Sequence, residues 1–338
     1  MFRTAYDVER ASFVLSKKQG SHRPAGLEKL VARRTPSGSN NLAKRLYKQN
    51  SRGNAANNSS SIYDRVTSQI LSALASGVIP WRKPWKGREF LPCNAVSKRT
   101  YNGVNLLLLG LAPFSDHRWM TVRQANELGG HVRKGEHGAI VVFWKIIERD
   151  GDESEPKRTM PLLRHHYVFN AEQIEGFSLE DVPPATTLDR IEEAEEVVRR
   201  MPNPPRLIEH SSGAFYRPAD DTVAMPRIER FVSADHYYCT LMHELGHATG
   251  HPDRLNRPGV AGARQFGWED YSREELVAEL ASAFVCAEIG LDNSLVSNAA
   301  SYIDGWLDAL NRDPRAIVQA SSHARRATDY ILGMSSSR

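Results

Sequence analysis

Cysteine is scarce in this sequence, and no two cysteines stand close together. Cys93, Cys239 and Cys286 are the only three in 338 residues, with no CxxC spacing, which excludes both a disulfide framework and a zinc ribbon. Cys239 and Cys286 sit in apolar, helix-like runs and read as buried thiols. Long apolar runs are missing as well. The longest, "VNLLLLGLAPF", falls far short of the ~20 residues that a membrane span needs. The opening "MFRTAYDVERASFVLSKKQG" scatters acids and bases with no apolar h-region, so the chain is expected to be cytoplasmic, with no membrane partner. Lysine, finally, is absent after Lys157.

That last absence belongs to a charge gradient. Hydrophobic content of 41% and charged content of 25% are ordinary for a globular chain, and the length suffices for two domains with sizeable cores. The net charge of +4 hides an uneven distribution. Residues 1–60 carry 12 Lys+Arg against 3 Asp+Glu, residues 61–177 carry 16 against 12, and residues 178–338 carry 16 against 25. A basic first half suggests a polyanionic partner, and an acidic second half a different task.

Residues 1–61, rich in Ser, Asn, Gly and Arg, read as a basic, disordered arm. Ile62, Val66, Ile70, Leu71 and Leu74 recur at helical spacing, with Gly77 placed to end the helix. A short helix capped by Thr121 follows, then strand-like runs over 139–148 and 164–170, which together make residues 62–177 an α+β module. Residues 178–189, with Pro183-Pro184, read as a linker. The second domain, 190–333, is helix-rich. A charged amphipathic helix leads to two strands around an Asp-Asp turn, and helices follow at about 233–250, 272–290, 295–311 and 314–332.

The stretch "TLMHELGHATGHPDRL" carries the chemistry. Residues four apart share a helix face, so His243 and His247 can offer two imidazoles to one cation, with Glu244 beside them to activate water. Two residues compete to be the third ligand. Asp253 fits the form HExxHxxGxx(H/D), in which Gly250 turns the chain back on the metal. That form needs a Met-turn, however, and the next methionine after Met242 is Met334. The alternative is Glu275 in "YSREELVAELASAF", with Glu279 one turn on to hydrogen-bond the free N–H of a ligating histidine. This is the arrangement of the glutamate zincins. Ser272 with Glu275 would also make a capping box that needs no metal, though that would leave Glu279 without a role. Glu275 is the favoured ligand. Zinc, or another divalent ion, would bring the pKa of a water from ~15.7 towards ~7, and Glu244 would take its proton as general base.

The first half carries basic residues interleaved with aromatic ones. "GVIPWRKPWKGREF" places Arg82, Lys83 and Lys86 around Trp81 and Trp85; "SKRTYNGVN" adds Lys98, Arg99 and Tyr101; "HVRKGEHG" adds Arg133 and Lys134. Rings stack on unpaired bases while cations track phosphates, so this pattern suggests single-stranded nucleic acid. The other reading makes the tryptophans core anchors beside prolines and the cations a solvated rim.

Over about 62–333 the chain resembles the ArdC-type antirestriction proteins, a family borne by conjugative plasmids and related to parts of some plasmid primases. The likeness rests on "YDRVTSQILSALASGVIPWRKPW", "RWMTVRQANELGGHVRKGEHGAIVVFWK", "AFYRPADDTVAMP", "YYCTLMHELGHATGHPDRLNR" and "FGWEDYSREELVAELASAFVCAEIG". It implies an N-terminal domain that binds single-stranded DNA, a C-terminal zincin-like metallopeptidase domain, and protection of incoming plasmid DNA from host restriction, with a host restriction component as a protein target. His243 and His247 match the family's metal histidines, Glu244 its catalytic glutamate and Glu275 its downstream acidic position. Ala248 stands where the family tends to have an aromatic residue, and residues 1–61 have no counterpart. Two other readings stay open: a DNA-coating protein whose metal site is structural, and an intracellular protease whose first domain captures protein substrates.

Overall fold

The computed structural model describes residues 61–82, 90–149, 158–176, 190–210, 213–261, 268–294 and 300–334. The basic arm, the Pro183-Pro184 linker, and Lys83, Trp85 and Lys86 lie outside the described residues.

Helix α1, Ile62–Ala75, begins where the periodicity predicts, because Ser61 and Asp64 close a reciprocal capping box on its first turn. Strands β1 (Cys93–Asn94), β2 (Arg118–Met120), β4 (Ala139–Arg149) and β5 (Arg158–Asn170) form one sheet in the order β1-β2-β5-β4. Its dominant feature is the long antiparallel β4–β5 hairpin, with Val141 opposite His166 and Phe143 opposite Arg164. The apolar run "VNLLLLG" is helix α2, Val104–Gly110, buried along most of its length. Helix α3, Val122–Glu127, carries the expected Thr121 cap, reciprocated by Gln124. Strands β3 (His131–Val132) and β6 (Ile174–Glu175) pair separately.

The second half opens with helix α4, Arg190–Arg200. Strands β7 (Arg206–Glu209), β8 (Phe215–Arg217) and β9 (Thr222–Met225) form a sheet in the order β7-β9-β8. The β8–β9 hairpin turns at Asp220-Asp221 as expected; the parallel β7–β9 pairing carried no signal in the sequence. Helices α5 (Ala234–Ala248), α6 (Pro258–Ala261), α7 (Trp268–Ile289), α8 (Ala300–Arg312) and α9 (Ala316–Ile331) complete the α+β fold.

From Glu274 to Ala287 helix α7 is buried along nearly its whole length, with Glu279 half-buried. Leu276, Leu280 and Phe284 pack into a core that also holds Val66 and Ile70 of α1, Leu107 of α2, Ile140 of β4 and Ile317 of α9. Val285 and Cys286 face a second core with Met242 and Leu245 of α5 and Val223 of β9. The two halves thus share one hydrophobic interior. Hydrogen bonds cross it too: Thr67 Oγ1 donates to Pro314 O at 2.7 Å, and Asn293 Nδ2 to Trp81 O at 2.9 Å. Both cysteines expected to be buried are. Their sulfurs approach to 3.1 Å between α5 and α7.

Trp81 corrects the expectation that its ring is displayed to a nucleic acid. It is 1% exposed and meets Trp306 edge-on, at 5.2 Å between ring centroids. A proline before the ring rigidifies a core anchor as well as it would a display loop. Trp81→Ala is therefore expected to cost about 3–5 kcal/mol of folding stability, measured by urea unfolding of the full chain.

Candidate metal centre

Helix α5 ends in "HELGHA", and the sequence makes it approach α7 closely at one point. Gly246 carries no side chain where an added Cβ would stand 3.2 Å from Ala278 Cα and 3.2 Å from its carbonyl oxygen. That contact places the histidine face of α5 over the stretch of α7 that carries Glu274, Glu275 and Glu279. His247 Nε2 lies 3.2 Å from His243 Nε2, 3.4 Å separates it from Glu275 Oε1, and His243 Nε2 is 3.6 Å from Glu275 Oε2. One ligand atom from each of the three lies within 4.8 Å of the others. Bonds of ~2.0–2.1 Å at tetrahedral angles set ligand atoms roughly 3.3 Å apart, so these spacings fit a single cation. Ser272 lies inside α7, which starts at Trp268, so it is not the helix cap of a capping box.

The competing carboxylate is elsewhere. Asp253 is 77% exposed, and its backbone N–H donates to His251 Nδ1 at 3.2 Å. Gly250 does let the chain fold back, since an added Cβ would meet Val260 Cγ2 at 2.5 Å. What the turn delivers is Arg257. This guanidinium, buried under α5, donates to Glu274 Oε2 from Nε at 3.1 Å and to Glu274 Oε1 from Nη2 at 2.5 Å. It also bonds Thr249 Oγ1 at 2.6 Å and Gly246 O at 2.7 Å. Glu274 Oε1 in turn stands 3.5 Å from His247 Nδ1. The carboxylate that orients His247 is thus Glu274, adjacent to Glu275 and unassigned by the motif. Glu279 Oε1 stands 3.8 Å from His243 Nδ1, beyond hydrogen-bond distance.

The electrostatics suit a divalent cation. Glu244, Glu274, Glu275 and Glu279 surround two imidazoles, and two guanidinium groups, Arg257 and Arg82, offset them. Neutral imidazoles would leave this cluster with two excess negative charges. Both Glu244 oxygens are buried without a hydrogen-bond partner among the described residues; the Tyr216 N–H leans towards them outside hydrogen-bond geometry. Burial pushes the Glu244 carboxyl up to about 7. Burial opposes charge on Glu275 as well, but the two histidines hold it down at about 2. Burial likewise disfavours the imidazolium of His247, yet Glu275 and Glu274 raise it to about 10.

Two comparisons of the sequence with family models bracket this centre. A model described as zincin-like metallopeptidase matches residues 192–323, and one for the N-terminal domain of anti-restriction factor ArdC matches residues 60–169. Two crystal structures of the antirestriction ArdC protein of plasmid R388, metal-free and Mn(II)-bound, are each 34% identical with a TM-score of 0.66. They align with 80% and 81% of this chain, over 97% and 98% of theirs. The chain belongs to the ArdC-type antirestriction family. The uncharacterised protein y4eC of Sinorhizobium fredii is 39% identical, and the match covers 91% of it. A DNA primase TraC of Escherichia coli is 36% identical, but there the chain spans only 20% of the relative's length.

The other proposed DNA-contacting residues of this ArdC-type chain scatter. Arg82 is half-buried: burial lowers its pKa while the charge of the Glu279 carboxylate raises it. Lys98 and Arg99 are exposed on a turn in which Lys98 adopts φ +59°. Tyr101 is half-buried beside them. Arg133 and Lys134 are exposed, with Arg133 Nη2 3.2 Å from Glu136 Oε1.

Two tests follow from the centre. Glu274→Gln is expected to weaken cation binding about 10–100-fold while His243, His247 and Glu275 remain, read by competition against a chromogenic chelator. Because His247 holds its proton up to about pH 10, a cation must displace it. Apparent affinity is therefore expected to rise as pH rises from 6 to 8, by up to about tenfold per pH unit for each proton released, with proton release measured calorimetrically in two buffers.

Proposed function

We propose that this protein binds single-stranded DNA through its first half and hydrolyses peptide bonds at a zinc-type centre in its second, protecting incoming plasmid DNA from restriction. The observation that carries the enzymatic part is the convergence of His243, His247 and Glu275 at ligand spacing beside the unpartnered Glu244 carboxylate. A divalent cation held there supplies Lewis-acid chemistry, polarising a carbonyl and acidifying water. Glu244 takes a proton on its carboxylate from the attacking water and returns it to the departing amine. Glu274 faces Nδ1 of His247 and holds that ring in place.

The burial of the centre supports a second reading. Glu244 is 0% exposed, His247 1% and Glu275 2%, with His243 the most open at 9%. A cation so enclosed suits a structural clasp between α5 and α7, with protection arising from DNA coating alone. Glu244→Gln separates the two readings. The peptidase reading expects cation content to be retained and casein or peptide cleavage to fall by at least about 10²-fold, with antirestriction lost. Full antirestriction in a conjugation assay with this variant would instead establish the clasp.

The DNA-binding part is tested by affinity for short single strands across a salt series. Binding is expected to weaken linearly in log–log form, with a slope of about −0.7 per phosphate contacted. Affinity indifferent to salt would refute phosphate contact.

A further inference from the structure

The β4–β5 hairpin has two unlike faces, because side chains alternate along each strand and register partners share a face. Ile140, Val142 and Leu163 point into the shared core. On the other face lie Val141, Phe143, His166 and Val168, which line a cavity of about 630 Å³, within the ~300–1,000 Å³ range of small-molecule sites. Phe143 and His166 are both exposed and stack on one another at 4.6 Å between centroids, with 17° between planes. Tyr101 lines it as well. The cavity is rigidly built. Asn94 and Gln124 exchange two amide hydrogen bonds of 3.2 Å, and Gln124 Oε1 also accepts the Thr121 N–H at 2.9 Å. Asn105 holds both the N–H and the carbonyl of Val142, each at 2.7 Å. Asn102 offers an exposed carboxamide at the mouth.

Cations flank this cavity on two sides. Arg164 is the register partner of Phe143, and Lys145 follows two residues on, so both share its face, and both are exposed. Lys98 and Arg99 stand on the turn that leads into the cavity wall at Thr100. The acidic residue lining the cavity, Glu127, is engaged by Arg123 at 2.7 Å.

We propose that this cavity seats one unpaired nucleobase of a bound strand, stacked on the Phe143–His166 platform, while Arg164 and Lys145 on one side and Lys98 and Arg99 on the other track the adjoining phosphates. Exposed rings beside a line of cations form a stacking platform for single strands. Amide groups around an unstacked base can read its hydrogen-bonding edge, which gives the contact a base preference. The inference rests on the single-strand reading above and moves its centre from the Trp81 segment to this hairpin.

The test uses the full chain and short fluorescent oligonucleotides, read by anisotropy. Phe143→Ala, at an exposed position, is expected to keep the wild-type circular dichroism. It is expected to bind about tenfold more weakly, with an unchanged salt slope and a flattened preference among homopolymers. The double change Lys145→Ala with Arg164→Ala is expected to lower the slope instead. A single abasic position scanned along the strand should cost wild type as much as Phe143→Ala does, and cost that variant nothing. If wild type binds with a normal salt slope and Phe143→Ala matches it, the cavity proposal is overturned alone. If wild type binds no strand, both readings fall.

Discussion

The constraint on which the candidate metal centre depends is the meeting of two helix backbones at Gly246 and Ala278. A side chain at that point would push α5 from α7, and the imidazoles would lose Glu275. The approach concentrates four carboxylates and two imidazoles in the protein interior, where unpaired charge is costly. Arg257 beneath and the charge of Arg82 relieve part of that cost. A divalent cation would relieve the remainder, so the architecture and the chemistry share one cause.

Much of this centre was legible in the sequence. Period-4 spacing put His243 and His247 on one face, and the acidic turn of the later helix supplied Glu275 and Glu279. Glu274 was not legible, because adjacent helical residues point about 100° apart and the motif accounts for only one of them. Arg257 was hidden for a different reason. Its role depends on the reversal at Gly250, which the pattern HExxHxxGxx(H/D) tied to Asp253, whereas the chain passes the centre from below and inserts a cation four residues later.

The basic half shows the limit of composition more sharply. A tryptophan between proline and arginine describes a displayed ring and a buried anchor equally well, and burial against Trp306 decides for Trp81. The strands over 139–148 and 164–170 were visible as an apolar run and a strand-like run, yet which face stayed open depended on register. Pairing Phe143 with Arg164 is what puts rings and cations side by side, and no local pattern announces it.

The single interior shared by α1, α2 and the hairpin with α7, α8 and α9 has an evolutionary corollary. Severing the chain between its two halves would bare Leu276, Leu280 and Phe284 to water on one piece and Val66, Ile70 and Leu107 on the other. Neither fragment could be shuffled onto a new partner without first rebuilding half a core. The hairpin face and the histidine–glutamate cluster are therefore carried by one core.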